Sequence, residues 1–162
     1  MKKVIAFCAI VIVLLGLAWC DTPVFSRQYL YIRDDNQRLQ FEVRPGDRIY
    51  FSYTQSLYHV QQTEVFEVQN NNTLLLREMV FGSLNALYYY DEQNLNYYEK
   101  DGNVYLVDLN KSFVQIPFRA SYSKSHSITI QSAAIEPRII DVSASFPAGA
   151  SLKMGVRRWW EQ

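Results

Sequence analysis

The chain has 162 residues, 49% of them hydrophobic, and its 16 basic and 16 acidic residues cancel to a net charge of zero. That balance gives no electrostatic footprint for nucleic acid, and two cysteines exclude a dense disulfide framework. The length suits one domain with a real hydrophobic core and is too short for two comfortable ones.

Met1-Lys2-Lys3 is a short basic segment, and Val4 to Cys20 follows without a charge. A basic start and a short apolar run make a secretory signal or a membrane anchor over residues 1–20, with an extracytoplasmic domain over residues 21–162. The run is shorter than the roughly 20 residues of a comfortable span, although spans of about 17 exist. Leu17-Ala18-Trp19-Cys20 resembles a bacterial lipobox, in which Cys20 carries the lipid, but Trp19 stands where that pattern has a small residue. Cleavage after Cys20 and an uncleaved anchor with Trp19 at the interface are the alternatives. Lys2 and Lys3 before the run and Asp21 after it put the rest of the chain outside the cytoplasm, in the periplasm or at the cell surface. Both cysteines, Cys8 and Cys20, belong to this segment, so the domain is held by its core. Without Lys2 and Lys3 it carries 14 basic against 16 acidic residues, a net charge of −2.

Gln28 to Arg33 and Leu39 to Val43 read as two strands around an Asp34-Asp35-Asn36 turn. A Pro45-Gly46 turn leads into Asp47 to Thr54, where Ile49, Phe51 and Tyr53 share a face because successive strand side chains point to opposite sides. Gln55-Ser56-Leu57 breaks the run, and Val60 to Gln69 follows. Here Glu64 shares the more apolar face with Phe66 and Val68, while Val65 and Glu67 take the other. A carboxyl on a buried face needs partners or a shifted pKa, so Glu64 is unusual and Glu67 ordinary, unless Glu64 lies near a strand end that water reaches.

Asn70-Asn71-Asn72 turns the chain into Thr73 to Phe81, in which Leu74-Leu75-Leu76 is too short for a helix. Tyr88-Tyr89-Tyr90 and Tyr97-Tyr98 flank Asp91-Glu92-Gln93-Asn94, which predicts a hairpin with exposed phenol rings. Asp101-Gly102-Asn103 is another hairpin signal before Val104 to Val107. Ser127 to Gln131, Arg138 to Val142 and Ser151 to Arg157 complete the set, with Pro147-Ala148-Gly149 turning between the last two. About nine or ten short strands at roughly 10-residue intervals, after an N-terminal signal or anchor helix, predict an all-β domain: one antiparallel sandwich or partly closed barrel.

The chemistry is sparse. His59 and His126 are the only histidines, and no Gly-x-Ser-x-Gly elbow exists. No metal site is expected from two histidines, a cysteine-free domain and no acidic cluster with calcium-loop spacing. Glu64 and Glu78 could lie on adjacent strands as a glycosidase pair if they face each other. The tyrosine clusters suit a protein partner or a sugar, although tyrosine also fills strands by propensity. Trp159-Trp160 after Arg157-Arg158 reads as a partner or membrane-interface contact, or as one ring closing over the core. A non-catalytic protein without a cofactor is the expectation.

Several short motifs occur in a particular order. Val43-Arg44-Pro45-Gly46-Asp47 ends an extended run in a turn, Tyr53-Thr54-Gln55-Ser56 closes an aromatic strand, and Glu64, Phe66 and Val68 form Glu-x-Phe-x-Val. Glu78, Ser83 and Ala86 precede the tyrosines, and Ile116-Pro117-Phe118, His126 and Pro147-Ala148-Gly149 come later. In this order they resemble the bacterial domain-of-unknown-function 1850 family, small exported proteins often encoded beside fused permeases of TRAP-type transporters. The resemblance implies an accessory or partner of such a system, the partner being the permease or its solute receptor. It also marks Gln55, Ser56, Glu64, Glu78, Ser83 and His126 as candidate binding residues. The family's histidine is Gln55 here, and the glycines around its alanine are Asn85 and Leu87. Glutamine keeps a donor and an acceptor, so binding survives the change and acid-base chemistry at that position does not. The alternative is a small-ligand or carbohydrate binder using the tyrosine hairpin or the Gln55, Glu64, Glu78 region.

Overall fold

The computed structural model describes residues 27–90, 96–120, 126–133 and 136–160. The expected signal or anchor segment with Cys8 and Cys20, and the expected turn at Asp91-Glu92-Gln93-Asn94, lie outside the described residues. Among the described residues no helix is long and apolar enough to cross a membrane.

Two antiparallel sheets carry the fold. The smaller contains β1 (Gln28–Arg33), β2 (Arg38–Val43), β9 (Gln115–Arg119) and β12 (Ser151–Arg158), in the order β2-β1-β12-β9. Asp34 closes its first hairpin, because Oδ1 accepts from the N–H groups of Asn36 and Gln37. The larger contains β3 (Arg48–Thr54), β4 (Gln61–Val68), β5 (Leu74–Phe81), β6 (Tyr97–Lys100), β7 (Asn103–Leu106), β10 (Ser127–Gln131) and β11 (Arg138–Asp141). Its order is β11-β10-β3-β4-β5-β7-β6, and β8 (Lys111–Phe113) pairs beside β7 on the other half of β5. Leu30, Ile32, Leu152 and Met154 of the smaller sheet share one core with Ile49, Phe66, Leu74, Phe81 and Ile128 of the larger. This is a sandwich; neither sheet closes on itself, so the barrel alternative falls.

A bulge shapes the centre of the larger sheet. Val65 pairs with Glu78 but Phe66 pairs with Leu76, so Arg77 is an extra residue in β5. Leu74, Leu76, Met79 and Phe81 therefore all face inward, while Arg77 and Glu78 both stay off the core. The neighbouring chain bows to match: β7 and β8 are interrupted over residues 107–110, and Leu109 N–H donates to Arg77 O at 3.3 Å.

The described residues hold twelve strands rather than nine or ten, and two short helices that the alternation did not announce. Helix α1 (Leu84–Tyr90) replaces the first arm of the expected tyrosine hairpin. Ser83 caps it, its Oγ accepting from Ala86 N–H at 3.3 Å, and Ala86 and Leu87 are fully buried. Helix α2 (Val142–Ser145) ends the expected Arg138 to Val142 strand one residue early. Asp141 is its cap, with Oδ1 accepting from Ser143 and Ala144 N–H. The additional strand β9 contains Pro117, which an inner strand would not tolerate; β9 lies at a sheet edge and pairs with β12 alone.

Candidate functional site

Glu64 lies in the middle of β4, opposite Phe51 of β3 on one side and Met79 of β5 on the other. It is not at a strand end; water reaches it instead through a cleft of about 240 Å³ between the two sheets. Phe51, Tyr53 and Glu64 line the cleft from the larger sheet, Ile116, Pro117 and Phe118 from β9 of the smaller, and His126 from the residue before β10. The chain brings Phe118 there because residues 111–119 leave β5 at Val114 and cross to pair with β12.

The rings form a connected wall. His126 stacks on Phe51 at 5.7 Å and on Tyr53 at 5.8 Å between centroids, with interplanar angles of 22° and 24°. Phe118 packs against Phe51 at 4.9 Å, tilted by 58°. Tyr53 Oη donates to Glu64 Oε1 at 2.8 Å, and among the described residues this is the carboxyl's hydrogen-bond partner. Burial raises the Glu64 pKa, and the Tyr53 bond opposes it by favouring the charged form. Burial first, then the Glu64 charge, pushes the Tyr53 phenol up and keeps it neutral. Burial lowers His126, which favours the neutral imidazole. Among the described residues no lysine or arginine lines the cleft, and Glu64 is the carboxyl that does.

The other candidate residues lie elsewhere. Gln55 and Ser56 belong to the turn after β3, where Gln55 N–H donates to Val60 O and Gln55 O accepts from His59 N–H. Glu78 pairs with Val65 while Glu64 pairs with Met79, so the two carboxyls take opposite faces and make no glycosidase pair. Glu78 instead acts on Tyr98, whose exposed phenol is raised by slight desolvation and then by the charge of this carboxylate. Ser83 is the cap of α1. Glu67, on the outer face, forms a forked pair with Arg77 at 3.0 and 3.3 Å, which lowers its pKa. Among the described residues no group of three His, Cys, Asp or Glu could hold a metal ion.

The tyrosines form a surface rather than a hairpin face. Tyr88, Tyr89 and Tyr90 project from α1, and Tyr97 and Tyr98 from β6, all exposed. Tyr88 Oη and Tyr97 Oη lie 3.4 Å apart, Tyr89 meets Tyr58 edge-on at 6.2 Å, and Tyr98 stacks on Tyr105 at 4.9 Å. Trp159 and Trp160 are exposed beyond β12, in edge-to-face contact at 6.0 Å, and neither closes over the core.

Reading the sequence singled out Glu64 and His126 but missed Phe51, Tyr53 and Phe118 as walls of the same cleft. The face shared by Phe51 and Tyr53 was visible in the alternation; the sheet crossing that delivers Phe118 was not. No family model, curated protein or solved structure matches the chain.

Proposed function

We propose that this is an extracytoplasmic, non-catalytic binding protein whose inter-sheet cleft holds a small ligand bearing an ammonium or similar cationic group. One observation carries the reading: Glu64 is a partly buried carboxyl inside a wall of aromatic rings, and among the described residues that line the cleft there is no arginine or lysine to balance it. A cation entering the cleft would meet the Glu64 carboxylate and the rings of Phe51, Tyr53 and Phe118 that line it. It would offset the desolvation that now favours the protonated acid. Binding rather than turnover is supported by the described lining residues, which include no serine, cysteine or lysine nucleophile and no second carboxyl. Transport is the setting implied by the resemblance to the domain-of-unknown-function 1850 family, with a TRAP-type permease or its solute receptor as neighbour.

The test is calorimetry and thermal shift with choline, ethylammonium and guanidinium against 3,3-dimethylbutanol, the uncharged isostere of choline. At 100 times its dissociation constant a bound cation should stabilise the protein by about 2.7 kcal/mol, and Glu64→Gln should abolish the effect. Equal response to the uncharged isostere, or none to any cation, would remove this reading.

A second reading, a direct protein partner, is favoured by the tyrosine surface of α1 and β6. Tyr89 is 67% exposed, and clustered amphipathic rings give contact area at small entropic cost. Co-purification with a membrane permease should weaken in Tyr89→Ala; recovery unchanged by that substitution would count against this surface.

A further inference from the structure

The end of the smaller sheet where β1 begins and β12 finishes carries an unassigned basic surface. One register row, Val43-Gln28-Arg158, closes the sheet there. Arg27 precedes this row, Arg44 follows it just after β2, and Arg158 belongs to it. Among the described residues, these three arginines and one carboxylate, Glu42, line an open cavity of about 510 Å³. Glu42 lies 3.9 Å from Arg27, between exposed side chains. The floor is fixed: Gln28 is 2% exposed, and its Nε2 donates to Gln69 O at 2.9 Å and Asn72 Oδ1 at 2.8 Å. That ties the turn between β4 and β5 to the end of the smaller sheet. Trp159 and Trp160 follow Arg158 directly, and the Arg158 guanidinium lies 5.3 Å from the Trp160 ring centre.

We propose that this end of the domain docks on the anionic phosphate headgroups of the bilayer that holds the Val4 to Cys20 run, a proposal that rests on that run being retained in the membrane. Chain length argues for it. Six residues separate Cys20 from Arg27, and fully extended they reach roughly 25 Å. The domain end that carries Arg27 therefore stays close to the lipid surface, whichever way the domain leans. Charge argues for it too: the domain's net charge is −2, yet this end collects arginines, which an anionic leaflet attracts over about a Debye length of 10 Å. The exposed tryptophan pair is the residue type that settles at headgroup depth. Arginine suits phosphate through its forked donors.

The experiment uses the full chain carrying Trp19→Phe, so that Trp159 and Trp160 are its remaining tryptophans. It is reconstituted into vesicles of brominated phosphatidylcholine, with or without brominated phosphatidylglycerol. Docking predicts about twofold stronger quenching of tryptophan emission when phosphatidylglycerol is present, falling to the phosphatidylcholine level at about 1 M salt. The combined Arg27→Gln, Arg44→Gln and Arg158→Gln chain should match phosphatidylcholine at low salt; the salt arm needs no substitution, so a misfolded variant leaves the test intact. Equal quenching in the two vesicles, or quenching indifferent to salt, overturns the proposal. So does shielding from aqueous iodide that is already complete in detergent, which would assign the surface to a protein contact.

Discussion

Tyr53 and Glu64 are joined across a diagonal of the β3–β4 ladder. Glu64 stands opposite Phe51 and Tyr53 opposite Gln62, and the phenol reaches the carboxyl at 2.8 Å. Both side chains point between the sheets, so the bond ties a titratable acid to the inner face of the sandwich.

The pH dependence of stability follows. Burial raises the folded pKa of Glu64 above its ordinary 4.5, so the folded protein holds that proton more tightly than the unfolded chain. The resulting stabilisation is complete below about pH 4.5 and is lost as pH rises through the folded value. His126 acts in the other direction: its folded pKa lies below 6.5, so stability present above about pH 6.5 is lost as pH falls toward the folded value. Urea unfolding of Glu64→Gln between pH 4 and 8 should show the variant gaining on the parent as pH rises. A gain on lowering the pH instead would mean that the carboxyl is stabilised as a charge.

Tyr53→Phe removes the one interaction that lowers the Glu64 pKa. The Glu64 carboxyl should titrate higher still, visible by carbon NMR of labelled glutamate, and folding should weaken by about 1 kcal/mol. A Glu64 titration midpoint that does not move would show that the hydrogen bond does not control this acid.

Gly155 is where β12 passes beneath Tyr31. A Cβ there would meet Tyr31 Oη at 2.6 Å and Val114 O at 2.8 Å, so Gly155→Ala should cost about 1–3 kcal/mol in chemical denaturation. Adding Tyr31→Phe should recover only part of that loss, because the backbone oxygen of Val114 remains. Full recovery would assign the whole clash to the phenol.

Ser83→Ala should cost about 1 kcal/mol by uncapping α1, and Ser83→Asp should restore most of it. If Ser83→Ala matches the parent in thermal unfolding, the Oγ contact to Ala86 contributes nothing and α1 is held by Ala86 and Leu87 alone.

Most strands could be read from the sequence because alternation and turn residues agree there. Gln28–Arg33 and Ser127–Gln131 fall where the pattern places them. The miss at Tyr88 to Tyr90 has a physical cause: a seven-residue helix offers barely two turns of periodicity, and strand propensity of tyrosine points the other way. Pro117 concealed β9, since a proline marks a strand only once its edge position is known. The face of Glu64 was legible from its spacing to Phe66 and Val68. Its distance from Glu78 was not, because a bulge at Arg77 changes which side of β5 each residue takes. His126 stood out as one of two histidines, but nothing local shows that a chain crossing sheets at Val114 will lay Phe118 beside it.

The pairing of β1 with β12 makes the last of the described strands an inner member of the smaller sheet. Until residues 151–158 have left the ribosome, or have cleared whatever channel the chain threads through, β9 has no neighbour and β1 has only its hairpin mate. The sandwich is thus completed from its C-terminal end, with long-range pairings that form slowly, and a partly made chain carries open strand edges that invite aggregation or chaperone capture. A stop codon before Ser151 would remove the middle of a sheet instead of trimming a tail.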